Sequence, residues 1–187
     1  MKIERLPEPF DVLVIKDTFS KNEAGQVRNE LGTLFQKQEG AGLWLSEMFS
    51  DLETSATHMN TVGTFFSQEV SANLMNINNL YGLYSHVNNH STIIKYYGQG
   101  QSSTIHYDSA AFTIMTFMFD EPKKFTGGDL TVQIGGDIAY EQPVENNMSV
   151  IFPSSYYVGL TEVDITDNSV EQAGLHVITT YLFIESR

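Results

Sequence analysis

The chain has 187 residues, 41% of them hydrophobic and 12% aromatic, with 23 acidic against 10 basic residues and a formal net charge of −13. That length supports a single domain with its own core, and the apolar content argues against disorder. The acidic balance, without any Lys/Arg cluster, argues against nucleic-acid partners and anionic membrane surfaces, while the lack of cysteine excludes disulfides, thiolate metal sites and cysteine nucleophiles.

Any metal must therefore be held by N and O ligands. The N-terminus carries Glu4, Glu8 and Asp11 and lacks the apolar run of a signal peptide. Nothing downstream reaches membrane-spanning length, so the expectation is a soluble, cytoplasmic protein.

"DVLVIKD" (11–17) predicts a first strand. "SKNEAGQVRNELGTLFQ" then opens with Ser20 and Glu23 in capping-box spacing and continues with Ala24, Val27, Leu31 and Leu34 at helical steps, which predicts an amphipathic helix. After the Gly-rich break "EGAGLW", residues 54–84 carry helix-like spacing of Val62, Phe65, Phe66, Val70, Leu74, Ile77 and Leu80, predicting one or two helices.

From Ser91 the pattern changes. "STIIKYY", "SSTIHYD", "AFTIMTFMF", "DLTVQI", "DIAYEQ", "MSVIFP", "YYVGLTEVDI" and "LHVITTYLFI" are short, rich in β-branched and aromatic residues, and separated by turn residues. Such a series predicts a β-sandwich or jelly roll, with the upstream helices on an outer face of the sheets. The predicted unit is therefore 1–187, with a strand and helices (1–90) packed on a β core (91–187).

Within "SSTIHYD", a strand period of two puts His106 and Asp108 on one face with Tyr107 opposite. An imidazole and a carboxylate converging there supply two of the three ligands of a 2-His-1-carboxylate facial triad, which leaves metal positions open for oxygen and substrate. The bland reading is a polar rim on an ordinary core strand.

From Tyr97 to Phe183 the sequence resembles the iron- and 2-oxoglutarate-dependent oxygenases of the prolyl 4-hydroxylase type. "YYGQGQSSTIHYD" is similar to that family's lead into its His-x-Asp, and "FMFDEPKKFTGGDLTV" to its Gly-Gly hairpin. "MSVIFPSSYYVGLTEV" resembles the stretch that carries the distal metal histidine, and "AGLHVITTYLF" the last strand with its co-substrate cation. The resemblance implies a double-stranded β-helix (jelly roll, cupin-like), Fe(II) bound through His106 and Asp108, and hydroxylase chemistry on a small-molecule or peptide substrate.

Three positions depart from that pattern. Val158 stands where the distal histidine belongs, and residues 125–186 contain no Lys or Arg to meet a carboxylate of 2-oxoglutarate. Ser103 occupies a position often held by a co-substrate tyrosine. The resemblance leaves Tyr97, Ser103 and His176 as co-substrate candidates, with 2-oxoglutarate itself in doubt.

Gly174-Leu175-His176 puts His176 at the cation's place, and a one-residue shift puts Leu175 there instead. His176 is thus a protonated carboxylate binder, a displaced metal ligand, or a histidine on a late strand. Two functions follow: an oxygenase with an incomplete metal site, or a degenerate relative serving as a binding or structural module.

Other features are weaker. His86 and His90 have i,i+4 spacing, but in a stretch that predicts a helix end or loop. Gly127-Gly128 predicts a tight hairpin, and "TEVDITDNSVEQ" (161–172) an acidic insertion near the pocket mouth, without the ligand periodicity of a calcium loop. Trp44, Tyr96, Tyr97, Tyr156 and Tyr157 are candidates for a cleft lining, with core or rim packing as the plainer role.

Overall fold

The computed structural model describes residues 1–35, 42–77, 79–134, 136–167 and 173–185. The chain enters through β1 (Lys2–Arg5) and β2 (Leu13–Lys16) and passes into α1 (Lys21–Phe35). The capping box forms as the spacing predicts: the Ser20 N–H donates to Glu23 Oε2 at 2.8 Å and the Glu23 N–H to Ser20 Oγ at 3.4 Å. Ala24, Val27, Leu31 and Phe35 form the buried stripe, whereas Leu34 is only partly buried.

The segment that follows holds β3 (Leu43–Trp44), α2 (Leu45–Met48), α3 (Ala56–Phe65), α4 (Gln68–Ile77) and a 3-10 stretch over Asn79–His86. From Asn89 onward the strands are β4 (Asn89–Tyr97), β5 (Ser103–His106), β6 (Phe112–Met118), β7 (Phe125–Thr126), β8 (Leu130–Ile134), β9 (Asp137–Gln142), β10 (Met148–Pro153), β11 (Tyr157–Leu160), β12 (Asp164–Ile165) and β13 (Leu175–Phe183); β7 lies outside the eight predicted strands, and β11 and β12 divide the one predicted over 156–165. All their pairings are antiparallel. A seven-stranded sheet has the order β1-β2-β10-β6-β13-β4-β3, a four-stranded sheet the order β5-β11-β8-β9, and β12 pairs with β7.

β13 lies near the middle of the larger sheet and is buried from Leu175 to Thr180. Successive side chains leave on opposite faces. Leu175 and Val177 enter the core between the sheets with Leu130, Val132, Val158 and Leu160, whereas Ile178 meets Val27 and Leu31 of α1 and Leu182 meets Phe65, Val70 and Leu74 of α3 and α4. The helices therefore cover the outer face of the larger sheet, which leaves its inner face and the smaller sheet to frame a site.

Gly127 and Gly128 adopt positive φ values of 69° and 70°, and a Cβ on Gly127 would stand 1.9 Å from the Glu162 carbonyl oxygen, but they do not close the predicted hairpin: β7 pairs with β12, and β8 with β9 and β11. Part of the acidic stretch folds as β12 against β7, with Lys124 donating to Asp167 at 3.0 Å; residues 168–172 lie outside the described residues. His86 and His90 do not share a helix face: His86 ends the 3-10 stretch and His90 is in β4, stacked on His58 with ring centroids 5.4 Å apart. Among the described residues no helix is long and apolar enough to cross a membrane.

Candidate functional site

His106 is the last residue of β5, and Asp108 follows where the chain turns toward β6. The Asp108 N–H donates to the Ser154 carbonyl at 3.0 Å, and Asp108 Oδ2 accepts from the Thr113 hydroxyl at 2.9 Å. Thr113 in turn meets the Ser154 hydroxyl at 2.7 Å, so residues from β6 and from the end of β10 fix the carboxylate. Asp108 is largely enclosed, at 11% side-chain exposure, while His106 is at 45%.

His106 Nδ1 lies 2.7 Å from the Thr104 carbonyl oxygen. A carbonyl only accepts, so this contact places a proton on Nδ1; in the neutral ring it leaves the Nε2 lone pair free. Nε2 stands 3.7 Å from Asp108 Oδ1. That gap is shorter than two metal–ligand bonds of about 2.1 Å laid end to end, so one divalent ion can reach both atoms. The Nδ1 contact and the Thr113 bond are the outer-shell supports that metal-binding imidazoles and carboxylates use.

The position across the sheet from His106 is apolar. β11 pairs with β5 so that Val158 is the cross-strand partner of His106, and directly opposed residues of an antiparallel pair share a face. Val158 is buried in the core between the sheets and offers only methyl groups. Among the described residues no group of three or more His, Asp or Glu side chains converges to hold a metal. The residues present fit a cation held by two protein groups and do not fit a three-ligand centre.

His176 is elsewhere. Its cross-strand partners are Tyr96 and Met118, and its ring packs against Phe35 of α1 at 5.2 Å and Tyr96 at 4.9 Å between centroids. That is the outer, helix-covered face; Leu175 is the residue facing inward. Burial pushes the His176 pKa down to about 4, and its Nε2 has no hydrogen-bond partner. The carboxylate-binder and metal-ligand readings of His176 are both corrected: it is a neutral histidine packed under α1.

Tyr97 and Ser103 do come together across the gap between β4 and β5. Burial pushes the Tyr97 phenol pKa up, and a hydrogen bond from Ser103 acts in the opposite direction. They line a cleft of about 450 Å³ together with Gly42, Lys95 and Gln101. Lys95 was not among the sequence candidates, yet it pairs with Val177 of β13 and so faces inward. The alternation Ile93, Lys95, Tyr97 within "STIIKYY" was the available signal.

A second cleft of about 430 Å³ lies at Asp108, lined by Trp44, Ser91, Tyr107, Tyr181 and Phe183. Trp44 and Tyr181 have ring centroids 6.1 Å apart, and burial, with the Asp108 charge adding to it, pushes the Tyr181 phenol up to about 12. Tyr156 has a structural role, accepting the Asp11 N–H at 3.2 Å, and the exposed Tyr157 packs edge-on against Tyr107. A surface depression of about 850 Å³ near α1 and α3 contains none of the candidate residues.

The fold has counterparts among solved structures. A prolyl-4-hydroxylase from Pseudomonas putida superposes with a TM-score of 0.66 at 10% identity, over 95% of this chain and 95% of that one. A prolyl hydroxylase from Trichoplax adhaerens, in complex with a hypoxia inducible factor oxygen degradation domain peptide fragment, superposes with a TM-score of 0.64 at 12% identity, over 94% of this chain and 84% of that one. At such identities the likeness establishes the fold: the chain has the fold of the prolyl hydroxylases. No protein-family model and no curated protein matches the sequence.

Proposed function

We propose that this chain is a non-haem oxygenase of the 2-oxoglutarate type, a hydroxylase whose divalent ion is held by His106 and Asp108 as its protein ligands. The observation that carries the reading is the pre-orientation of the two groups: Thr104 holds the proton on His106 Nδ1, Thr113 holds Asp108 Oδ2, and the remaining donor atoms stand 3.7 Å apart. Bound Fe(II) would supply the dioxygen activation that C–H hydroxylation needs. The two facing sheets, with β5 and β11 opposite the β4–β13 region, support a double-stranded β-helix. The aromatic cleft at Asp108 would receive the substrate, a small molecule or peptide.

One observation favours a second reading, a fold that binds ligand without turnover: Val158 in place of a third ligand. The two readings separate in one experiment. Anaerobic calorimetric titration with Mn(II) is compared between the wild type, His106→Ala and Asp108→Ala, and the Fe(II)-loaded protein is then assayed in air for succinate formed from 2-oxoglutarate. Metal binding that depends on both residues, with succinate, supports the oxygenase. Binding without succinate supports the second reading, and three identical isotherms remove the metal site altogether.

A further inference from the structure

We infer that Lys95 is an anion anchor, holding a carboxylate of a small organic acid in the cleft between β4 and β5. Lys95 lies on the inner face of the larger sheet, fixed there by its pairing with Val177. Lys2, Arg5, Lys16, Arg28, Lys123 and Lys124 each stand within ion-pair distance of a carboxylate. Lys95 and the exposed Lys21 have no such partner among the described residues, although the chain carries a net charge of −13, and of the two only Lys95 is partly buried. A partly buried lysine without a counter-charge in so acidic a molecule is a place where an external anion can be held.

The surroundings match that charge. The described lining of the 450 Å³ cleft contains no Asp or Glu; Tyr97, Gln101, Ser102, Ser103 and Thr104 offer hydroxyl and amide groups. Gln101 Oε1 accepts the Gly98 N–H at 2.8 Å, which leaves the amide NH₂ to donate. Gly42 makes room for the lysine stem: a Cβ there would stand 3.2 Å from Lys95 Cε and 2.6 Å from Ile93 Cδ1. An ammonium flanked by neutral donors binds a carboxylate through charge-assisted hydrogen bonds.

The location suggests what the rest of the ligand meets. Ser103 precedes His106 by three residues on β5, roughly 10 Å at a strand rise of about 3.3 Å per residue. A short dicarboxylate or 2-oxo acid anchored at Lys95 would share the space between the sheets with His106, since Lys95 pairs with Val177 and His106 with Val158, both core residues there. This last step rests on the metal reading proposed above; the carboxylate contact at Lys95 does not.

The test is calorimetric titration of the full chain with 2-oxoglutarate and, separately, with succinate, both in EDTA so that no metal takes part. The wild type is expected to bind both, Lys95→Ala to bind at least tenfold more weakly, and Lys95→Arg, which keeps the charge, to stay within about threefold of the wild type. Repeating the 2-oxoglutarate titration with Mn(II) should tighten binding only if the metal reading holds, so the two ideas fail separately. Equal affinities for wild type and Lys95→Ala in EDTA, or no binding by the wild type, overturn the assignment of Lys95.

Discussion

Val158 stands directly across the β5–β11 pair from His106, buried against the core at 1% exposure, with both side chains directed to the same side of the sheet. An imidazole at position 158 would arrive beside the ion that His106 and Asp108 are proposed to hold. In Val158→His, the apo protein should lose about 1–3 kcal/mol, because a polar ring replaces methyl groups in a dry position. Mn(II) should restore stability through preferential binding to the folded state. Thermal melts without oxygen, with and without Mn(II), should show a larger metal-dependent rise in Tm for the variant than for the wild type. An equal rise would mean that residue 158 does not reach the ion.

Thr113 holds Asp108 Oδ2 at 2.9 Å and the Ser154 hydroxyl at 2.7 Å. Thr113→Val keeps the shape and removes the hydroxyl that bridges both. Stability should fall by about 1–2 kcal/mol, the cost of leaving enclosed partners short of a hydrogen bond. Divalent-metal affinity should fall 10–100-fold, as it does when an outer-shell partner is lost. Unchanged Mn(II) affinity would show that Thr113 does not orient the carboxylate.

His176 titrates at about 4 in the folded protein because of burial, against about 6.5 in an unfolded chain. Above pH 7 both states hold the ring neutral and its protonation has no effect on stability. Between about pH 6.5 and 4 only the unfolded state takes up the proton, so stability falls as pH falls, by roughly 3 kcal/mol in all, and levels off below 4. His176→Phe should flatten this part of the curve. Burial lowers His58 and His90 as well, but both remain in the variant, so the difference between the two urea-unfolding series across pH reports His176. Parallel curves would place the ring in contact with water.

Gly159 lies beside Val158 where β5 crosses β11 closely. A Cβ there would stand 2.8 Å from the Ser103 carbonyl oxygen and 2.9 Å from Ile105 Cδ1. Gly159→Ala should therefore push β5 outward, cost about 1–3 kcal/mol from overpacking, and weaken Mn(II) binding by moving His106. A variant with wild-type stability and metal affinity would show that β5 yields freely at this crossing.

Much of the fold is legible because its signals are local. Ser20 and Glu23 cap α1 through neighbouring backbone, and the apolar character of "AFTIMTFMF" and "LHVITTYLF" already marks β6 and β13. The spacing of two residues marks His106 and Asp108 as neighbours, but Asp108 lies past the end of β5 and is placed by its bonds to Ser154 and Thr113. β1 and β3 were not legible: they are short, and they exist because β2 and β4 offer them pairing edges.

What the tertiary structure alone decided is which face each late-strand residue takes and which distant strands become neighbours. Around Gly174 the sequence admitted two registers one residue apart, and a slip of one residue reverses every side chain of a strand. The packing of Ile178 against α1 and of Leu175 and Val177 into the inner core chose between them, turning His176 outward. Lys95 is not legible from the sequence as a cleft residue, because it lies far from the last strand along the chain. It lies on β4, and only the antiparallel pairing of Lys95 with Val177 carries its charge to the face where a cation was missing. Local spacing marked His106 and Asp108 as a candidate pair; long-range pairing, which depends on how the whole core packs, determined their surroundings.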